Sequence, residues 1–326
     1  MKLKSIILTG LAVSTMFIVG CGEKNDTAKG AEEQYPSKPV NVIIAYKAGG
    51  GTDVGARILL SEAQNNFSQP FVVVNKPGAD GEIGYTELAK AKPDGYTVGF
   101  INLPTFVSLP LQRKTQFSKD SVEPIMNHVY DPGVFVVKGD SSWNTLEDFI
   151  IEAKNNPNTL TISNNGTGAS NHIGAAHLAY ESGIDVVHVP FGGSTDMIAA
   201  LRGGHVNATV AKISEVGSLI RSGELRALGS FSENRLDDFQ EIPTLKEKDI
   251  NVLFGSARAI VAPKGVDPKI LDQLHVTFKT ALESPGNIEK SKNADLPLMY
   301  MDPVQLKEYI NNQEVYIKEI VPKLGL

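Results

Sequence analysis

The sequence predicts an α/β protein built as two domains, and three observations carry that expectation. From Tyr35 onward, short β-branched apolar runs alternate with helical stretches. The strands of the first series end at polar or glycine-rich loops, which in open α/β sheets is the edge where ligands sit. A second series of the same kind begins near Val134 and brings two glycine-rich loops of its own. The chain has 326 residues, 41% hydrophobic and 21% charged, which is ordinary for a soluble globular protein and leaves room for two cores.

In order along the chain, 40–46 reads as a strand and 53–65 as a helix. A strand at 71–75, a turn at 75–78 and a helix at 81–91 follow. Pro93-Asp94-Gly95 then turns the chain into a strand at 96–101. This places the loops 49–53, 78–84 and 102–105 on one edge. The second series reads as strand 134–138, helix 145–155 with Thr145 as N-cap and Asp148 three residues on, strand 160–163, loop 164–170 and helix 172–182. Strand 185–190 leads to the glycine turn 191–194. Helix 196–202, strand 206–210, helix 214–222 and strand 226–230 complete the set. A strand at 258–262 and helices at 267–283 and 303–324 close the chain.

The central stretch is Ala45-Tyr-Lys-Ala-Gly-Gly-Gly-Thr-Asp-Val-Gly-Ala-Arg57. Glycines 49–51 let a ligand approach main-chain N–H groups closely, and Thr52 and Asp53 read as the cap of the next helix. A helix N-terminus offers unpaired donors and a positive dipole end, so the loop is a plausible anion cradle. Taken alone it could equally be a tight strand-to-helix turn with no ligand, or a holder of phosphate. The nucleotide patterns fail: Lys-Ser/Thr does not follow the glycines, and Val54 stands where a dinucleotide fingerprint needs glycine. His172 and His177 are five apart, which does not put two metal ligands on one helical face, so no metal is expected; with the nucleotide patterns absent, no cofactor is expected either. Ser170 lacks the GxSxG surroundings of a nucleophile and reads as a helix cap or ligand contact. His172, His188 and His205 read as structural or exposed. An enzyme would need an acid–base pair at this loop edge, and Asp53 is the only carboxylate placed there. The formal net charge of −6 makes nucleic acid an unlikely partner, and removal of a leader carrying Lys2 and Lys4 would make the charge more negative still.

Lys2 and Lys4, the apolar segment 6–19 and Ile18-Val19-Gly20-Cys21 have the layout of an export signal and resemble a bacterial lipobox, with 1–20 as signal peptide. Cys21, the sole cysteine, is then the lipidation site. A plain secretory signal and a single membrane anchor are the competing readings. Residues 21–35 read as a flexible tether.

The stretches YPSKPVNVIIAYKAGGGTD, VVVNKPGADGEIGYTELAKAKPDGYTV, HVPFGGSTDMIAALRGGHVNATV, IRSGELRALGSFSENR, EIPTLKE and VAPKGVDPKILDQLHVTFKTALESP resemble, in order and spacing, the tripartite tricarboxylate transporter substrate-binding family, the Bug receptors. The resemblance implies a two-lobed periplasmic-binding fold whose hinged lobes close a cleft on a small carboxylate. It also implies delivery to the large and small integral membrane subunits of a secondary transporter. The expected protein is an exported, lipid-anchored monomer at the outer face of the cell membrane or in the periplasm, with no catalytic role; a sensing receptor for a signalling partner reads the same from sequence. Lobe one is expected at 36–130 plus 256–326 and lobe two at 131–255.

By motif, Gly49, Gly50, Gly51, Thr52 and Asp53 form one carboxylate clamp, and Gly166, Thr167, Gly168, Ala169 and Ser170 the other. Phe191, Gly192 and Gly193 line the second lobe, and Asn102 and Thr105 supply a further loop contact. Ala211 and Lys212 stand where many relatives have aspartate and asparagine, so the acidic partner of an amino group is missing. Arg258 stands between Ala257 and Ala259 where relatives carry an aromatic pair, and Lys47 where proline is common. Three added cations imply a ligand with more than one carboxylate and no ammonium.

Overall fold

The computed structural model describes residues 35–326, so Cys21, the signal segment and nearly all of the tether lie outside the described residues. Strand β1 (Val40–Ile44) shows how the sheet forms. Val40, Val42 and Ile44 point into one core, with Ala56, Leu59 and Leu60 of α1 (Gly51–Ala63) and Leu274 and Phe278 of α8 (Pro268–Leu282). Ile43 points the other way, into a core with Tyr85 and Leu88 of α2 (Glu82–Lys90), Phe106 of α3 (Thr105–Gln112) and Leu306 of α10 (Pro303–Lys323). Helices therefore cover both faces, as a parallel sheet requires. β1 pairs in parallel with β2 (Phe71–Asn75) and β3 (Thr97–Leu103), and β3 pairs antiparallel with β9 (Gly255–Pro263).

The long strand β4 (Val122–Lys138) belongs to two sheets. From Val122 to Pro132 it pairs with β9; from Gly133 it pairs with β7 (Ala208–Lys212), and from Val134 with β8 (Leu225–Ser230). Proline has no N–H to give a ladder, and the sheet changes partner at Pro132. The next residue must be small, since a Cβ at Gly133 would come within 2.6 Å of Phe254. Beyond β7 the second sheet continues through β5 (Thr161–Asn164) and β6 (Val187–Pro190), and β10 (Leu298–Met301) adds to β4 on the first side. Phe135 and Val137 of β4 point into one core of the second half, Val134 and Val136 into the other. Helices α4 (Leu146–Asn155), α5 (Ser170–Ser182), α6 (Ser194–Arg202) and α7 (Ile213–Arg221) belong to this half, and α9 (Pro285–Asn293) to the first.

The predicted α/β alternation holds, and the Thr145–Asp148 capping box is formed. Four readings need correction. The first helix begins at Gly51 with Gly50 as N-cap, so Thr52 and Asp53 lie inside its first turn. Asn102 and Thr105 do not share a loop: Asn102 lies in β3, and Thr105 opens α3, a helix that the proline at 110 hid from view. Strand 134–138 is only the tail of β4. Strand 206–210 sits two residues later, which puts Lys212 on its last position. Among the described residues no helix is long and apolar enough to cross a membrane, and no group of three His, Cys, Asp or Glu side chains is gathered for a metal.

Candidate functional site

Where the two sheets meet lies a cavity of about 30 Å³, enough for roughly two waters. The first half lines it with Tyr46, Lys47, Gly50, Gly51, Thr52, Asn102 and Ser256, and the second with Asn165, Ser170, Asn171, Gly193, Ser194, Thr195, Lys212 and Glu215. Small-molecule sites generally measure about 300–1,000 Å³. The halves are thus closed on one another here.

Four helices begin at this cavity, and their N-termini differ in how their donors are satisfied. At α5 the N–H of Ser170 donates to Thr105 Oγ1 from the other half (3.1 Å), and that of Asn171 to Asn165 Oδ1 (3.1 Å). At α7 the N–H of Lys212 donates to Glu215 Oε2 (3.0 Å) and that of Ser214 to Asp131 Oδ1 (3.2 Å). By contrast α1 and α6 carry no side-chain cap. Their first turns read Gly50-Gly51-Thr52-Asp53 and Gly193-Ser194-Thr195-Asp196, the same pattern from opposite halves. Both aspartates sit at the third helical position and are engaged away from their own helix end. Asp53 accepts from Gly49 N–H (3.0 Å), Arg57 Nε (2.9 Å) and Asn75 Nδ2 (2.9 Å). Burial pushes its carboxyl up, and these bonds, Arg57 foremost, outweigh burial and hold it below the usual carboxylate range. Asp196 accepts from Lys47 Nζ (2.6 Å), an exposed bridge across the two halves.

Two cations are buried beside the cavity. Arg258, 1% exposed, pairs with the fully buried Asp131 and reaches Ser214 Oγ (3.3 Å). Its guanidinium lies against Gly51, where a Cβ would meet Arg258 Cζ at 2.9 Å; this contact, rather than backbone freedom, demands the third glycine of the triplet. Burial raises the Asp131 carboxyl, and Arg258 offsets part of that rise. Lys212, 2% exposed, bonds an amide oxygen, Asn171 Oδ1, and lies 3.9 Å above the Phe254 ring. Burial pushes it down to about 7, against the opposing pull of Glu215 and Asp131.

Of the residues expected at the site, Gly50, Gly51, Thr52, Asn102, Ser170, Gly193 and Lys212 line the cavity together with Lys47. Gly49, Asp53, Thr105, Gly166, Thr167, Gly168, Ala169, Phe191, Gly192 and Arg258 are not in its wall. The Gly166–Ala169 turn faces α3 instead: Gly168 O accepts from Ser108 Oγ (3.0 Å) and Gln112 Nε2 (3.1 Å), and a Cβ at Gly166 would strike Asp80. Two expectations about charge are overturned. Arg258 is not an unpaired cation, since Asp131 neutralises it. Nor is Asp53 the sole carboxylate of the region: Glu215 lines the cavity and Asp131 lies behind it, so an acidic group is within reach of an amino ligand after all. Sequence reasoning missed Tyr46, Asn165, Asn171, Ser194, Thr195, Glu215 and Ser256. The echo of Gly-Gly-Thr-Asp in Gly-Ser-Thr-Asp was the signal available for Ser194 and Thr195.

A profile described as Tripartite tricarboxylate transporter family receptor matches residues 55–326, beginning just past the Gly49–Asp53 loop. A protein of Cupriavidus necator described as UPF0065 protein in gbd 5'region is 34% identical over 304 residues, 92% of this chain and 91% of that one. The solved periplasmic binding protein BugD superposes with a TM-score of 0.84 at 27% identity, covering 89% of this chain and 99% of that one. MatC from Rhodopseudomonas palustris, solved with bound malate, gives a TM-score of 0.83 at 22% identity over 88% and 100% of the two chains, a likeness of fold. The fold is the two-lobed α/β fold of periplasmic binding proteins, and the chain belongs to the tripartite tricarboxylate transporter receptor family.

Proposed function

We propose that this receptor binds a small di- or tricarboxylate in the cavity between its halves and hands it to the membrane subunits of a tripartite transporter. The observation that carries the reading is the pair of uncapped helix N-termini, α1 and α6, facing one cavity from opposite sides with Lys212 beside them. Each helix end contributes N–H donors and a positive dipole end, and a carboxylate gripped by both ties the halves together. Lys212, when protonated, supplies a positive charge for a second carboxylate, and the bound carboxylate favours that protonated form. Lobe one is then 36–130 plus 256–326 and lobe two 131–255, with closure about the two chain crossings, where β4 changes sheets and the chain returns to β9. An exported location fits the leader and the family, with Cys21 as lipid anchor and the receptor a monomer.

Calorimetric titration of the full chain with di- and tricarboxylates tests the reading. At least one acid should bind, and Lys212→Ala should weaken it by about 10- to 100-fold, the worth of a charge-assisted bond. Because Glu215 lies in the wall, amino acids belong in the same panel. Binding of an amino acid alongside failure of every carboxylate would sink the proposal.

A further inference from the structure

We infer that Asn102 and Ser256 read a hydroxyl group on the bound acid, so that the cavity selects hydroxylated di- or tricarboxylates over their deoxy counterparts. The inference rests on the carboxylate reading of the same cavity and names the class of acid within it. Both side chains line the cavity, and both are more than nine-tenths buried, at 8% and 0% exposure. Asn102 Oδ1 and Ser256 Oγ are buried polar atoms with no hydrogen-bond partner among the described residues. Their neighbours in the wall are spoken for: the Ser170 N–H by Thr105, the Asn171 N–H by Asn165, the Asn171 Oδ1 by Lys212. Orphaned buried polar atoms are uncommon in folded proteins and ask for an explanation; at a binding cavity, the occupant is the natural partner.

The strand register puts the two on one surface. Asn102 of β3 lies opposite Arg258 of β9, and Ser256 precedes Arg258 by two residues, so the pleat turns all three the same way. A carboxylate cannot satisfy Asn102 Oδ1, because two acceptors share no proton. A hydroxyl can donate to Oδ1 and accept from Ser256 Oγ–H. The amide orientation is therefore what the titration reads: turned over, Asn102 Nδ2 and Ser256 Oγ–H would bond a carboxylate as readily as a hydroxyl, and the preference would vanish. An ammonium would also donate; it would meet Lys212 as a like charge and Glu215 as an opposite one in the same wall, so amino acids stay in the titration panel as the competing occupant.

Titration of the full chain with matched pairs, malate against succinate and citrate against tricarballylate, tests this. The hydroxylated member of the pair that fits should bind at least ~10-fold tighter, since a site built to bond a hydroxyl rejects the analogue without it. Ser256→Ala and, independently, Asn102→Ala should each remove most of that preference, the hydroxy acid losing at least several-fold more affinity than the deoxy acid. Equal binding of the two members by the wild-type chain would overturn the inference, as would variants that weaken both members alike. Failure of all four acids to bind would instead overturn the carboxylate reading beneath it. Should either variant not fold, the wild-type comparison still decides.

Discussion

Arg258 and Lys212 are both buried cations at the join of the two halves, yet their surroundings give them different work. Arg258 has a carboxylate partner in Asp131 and a hydroxyl in Ser214, and it packs under the first turn of α1. Lys212 has an amide oxygen and an aromatic face. The first is a neutralised pair holding strands β4 and β9 and helix α7 in register; the second retains charge that a ligand can use. A cation's closeness to a site therefore says less about binding than whether a buried anion already claims it.

The largest effect should come from breaking the claimed pair. Asp131→Asn or Arg258→Met leaves an ion buried without its counterion, and removing one partner of a buried pair destabilises by roughly 3–5 kcal/mol. Denaturant unfolding should show that loss for either single change, and the Asp131→Asn/Arg258→Met double variant should recover part of it. If the single variants unfold like wild type, the pair does not hold the join.

Lys212→Met should do the reverse. Stability at pH 6 should hold or rise, because the folded state no longer confines a desolvated ammonium. Affinity for the carboxylate should fall by about 1.5–3 kcal/mol, the range for hydrogen bonds to charged groups. A variant that loses stability and keeps its affinity would reverse the roles assigned to the two cations.

The comparison also has a pH signature. The folded pKa of Lys212, about 7, lies below the value near 10.4 of an unfolded lysine, so between those limits the unfolded state binds more protons. Its penalty on stability is full below pH 7 and is relieved as pH rises toward 10. A bound anion favours the charged form, so binding near pH 8 should take up a fraction of a proton, and binding at pH 5.5 almost none through this group. Calorimetry in two buffers of different ionisation enthalpy measures that uptake, and Lys212→Met should abolish it. Uptake that survives the substitution belongs to another group.

Much of the fold could be read from the sequence because most strands are short apolar runs between turn residues. The chief exception is β4, and its cause is the join. The first eleven residues of β4 include Glu123, Pro124, Asn127, His128, Asp131 and Pro132, so no alternation betrays the strand, although much of it is buried. The polar groups are there because the strand carries the join, with Asp131 pairing an arginine 127 residues away. The same gap produced the error about the site: with Asp131 hidden in an unassigned stretch, Arg258 looked unpaired. The α1 loop could be recognised by its glycines, whereas Ser194 and Thr195 take the equivalent place in the cavity wall at α6 with only Gly192 and Gly193 to mark it. The family's loop contact points to Asn102, but neither its unpartnered oxygen nor Ser256 could be picked out, since being unpartnered is a property of the folded arrangement.

The smallest expected effect concerns the bridge between the two halves, Lys47 to Asp196. It joins the loop before α1 to the first turn of α6, so it spans the two uncapped helix ends. Both side chains are nearly half exposed, at 48% and 43%, and exposed pairs are worth only about 0.2–1 kcal/mol and weaken with salt. The bridge exists only while the halves are together, so its loss should act on the closed state. Asp196→Asn should therefore speed ligand release by less than about fivefold at low ionic strength, the kinetic equivalent of that energy. Raising salt should speed release from wild type and leave the variant nearly unchanged. Stopped-flow release measurements at two salt concentrations separate this from a general loss of binding: an equal salt response in both proteins would show that the bridge plays no part in holding the cleft shut.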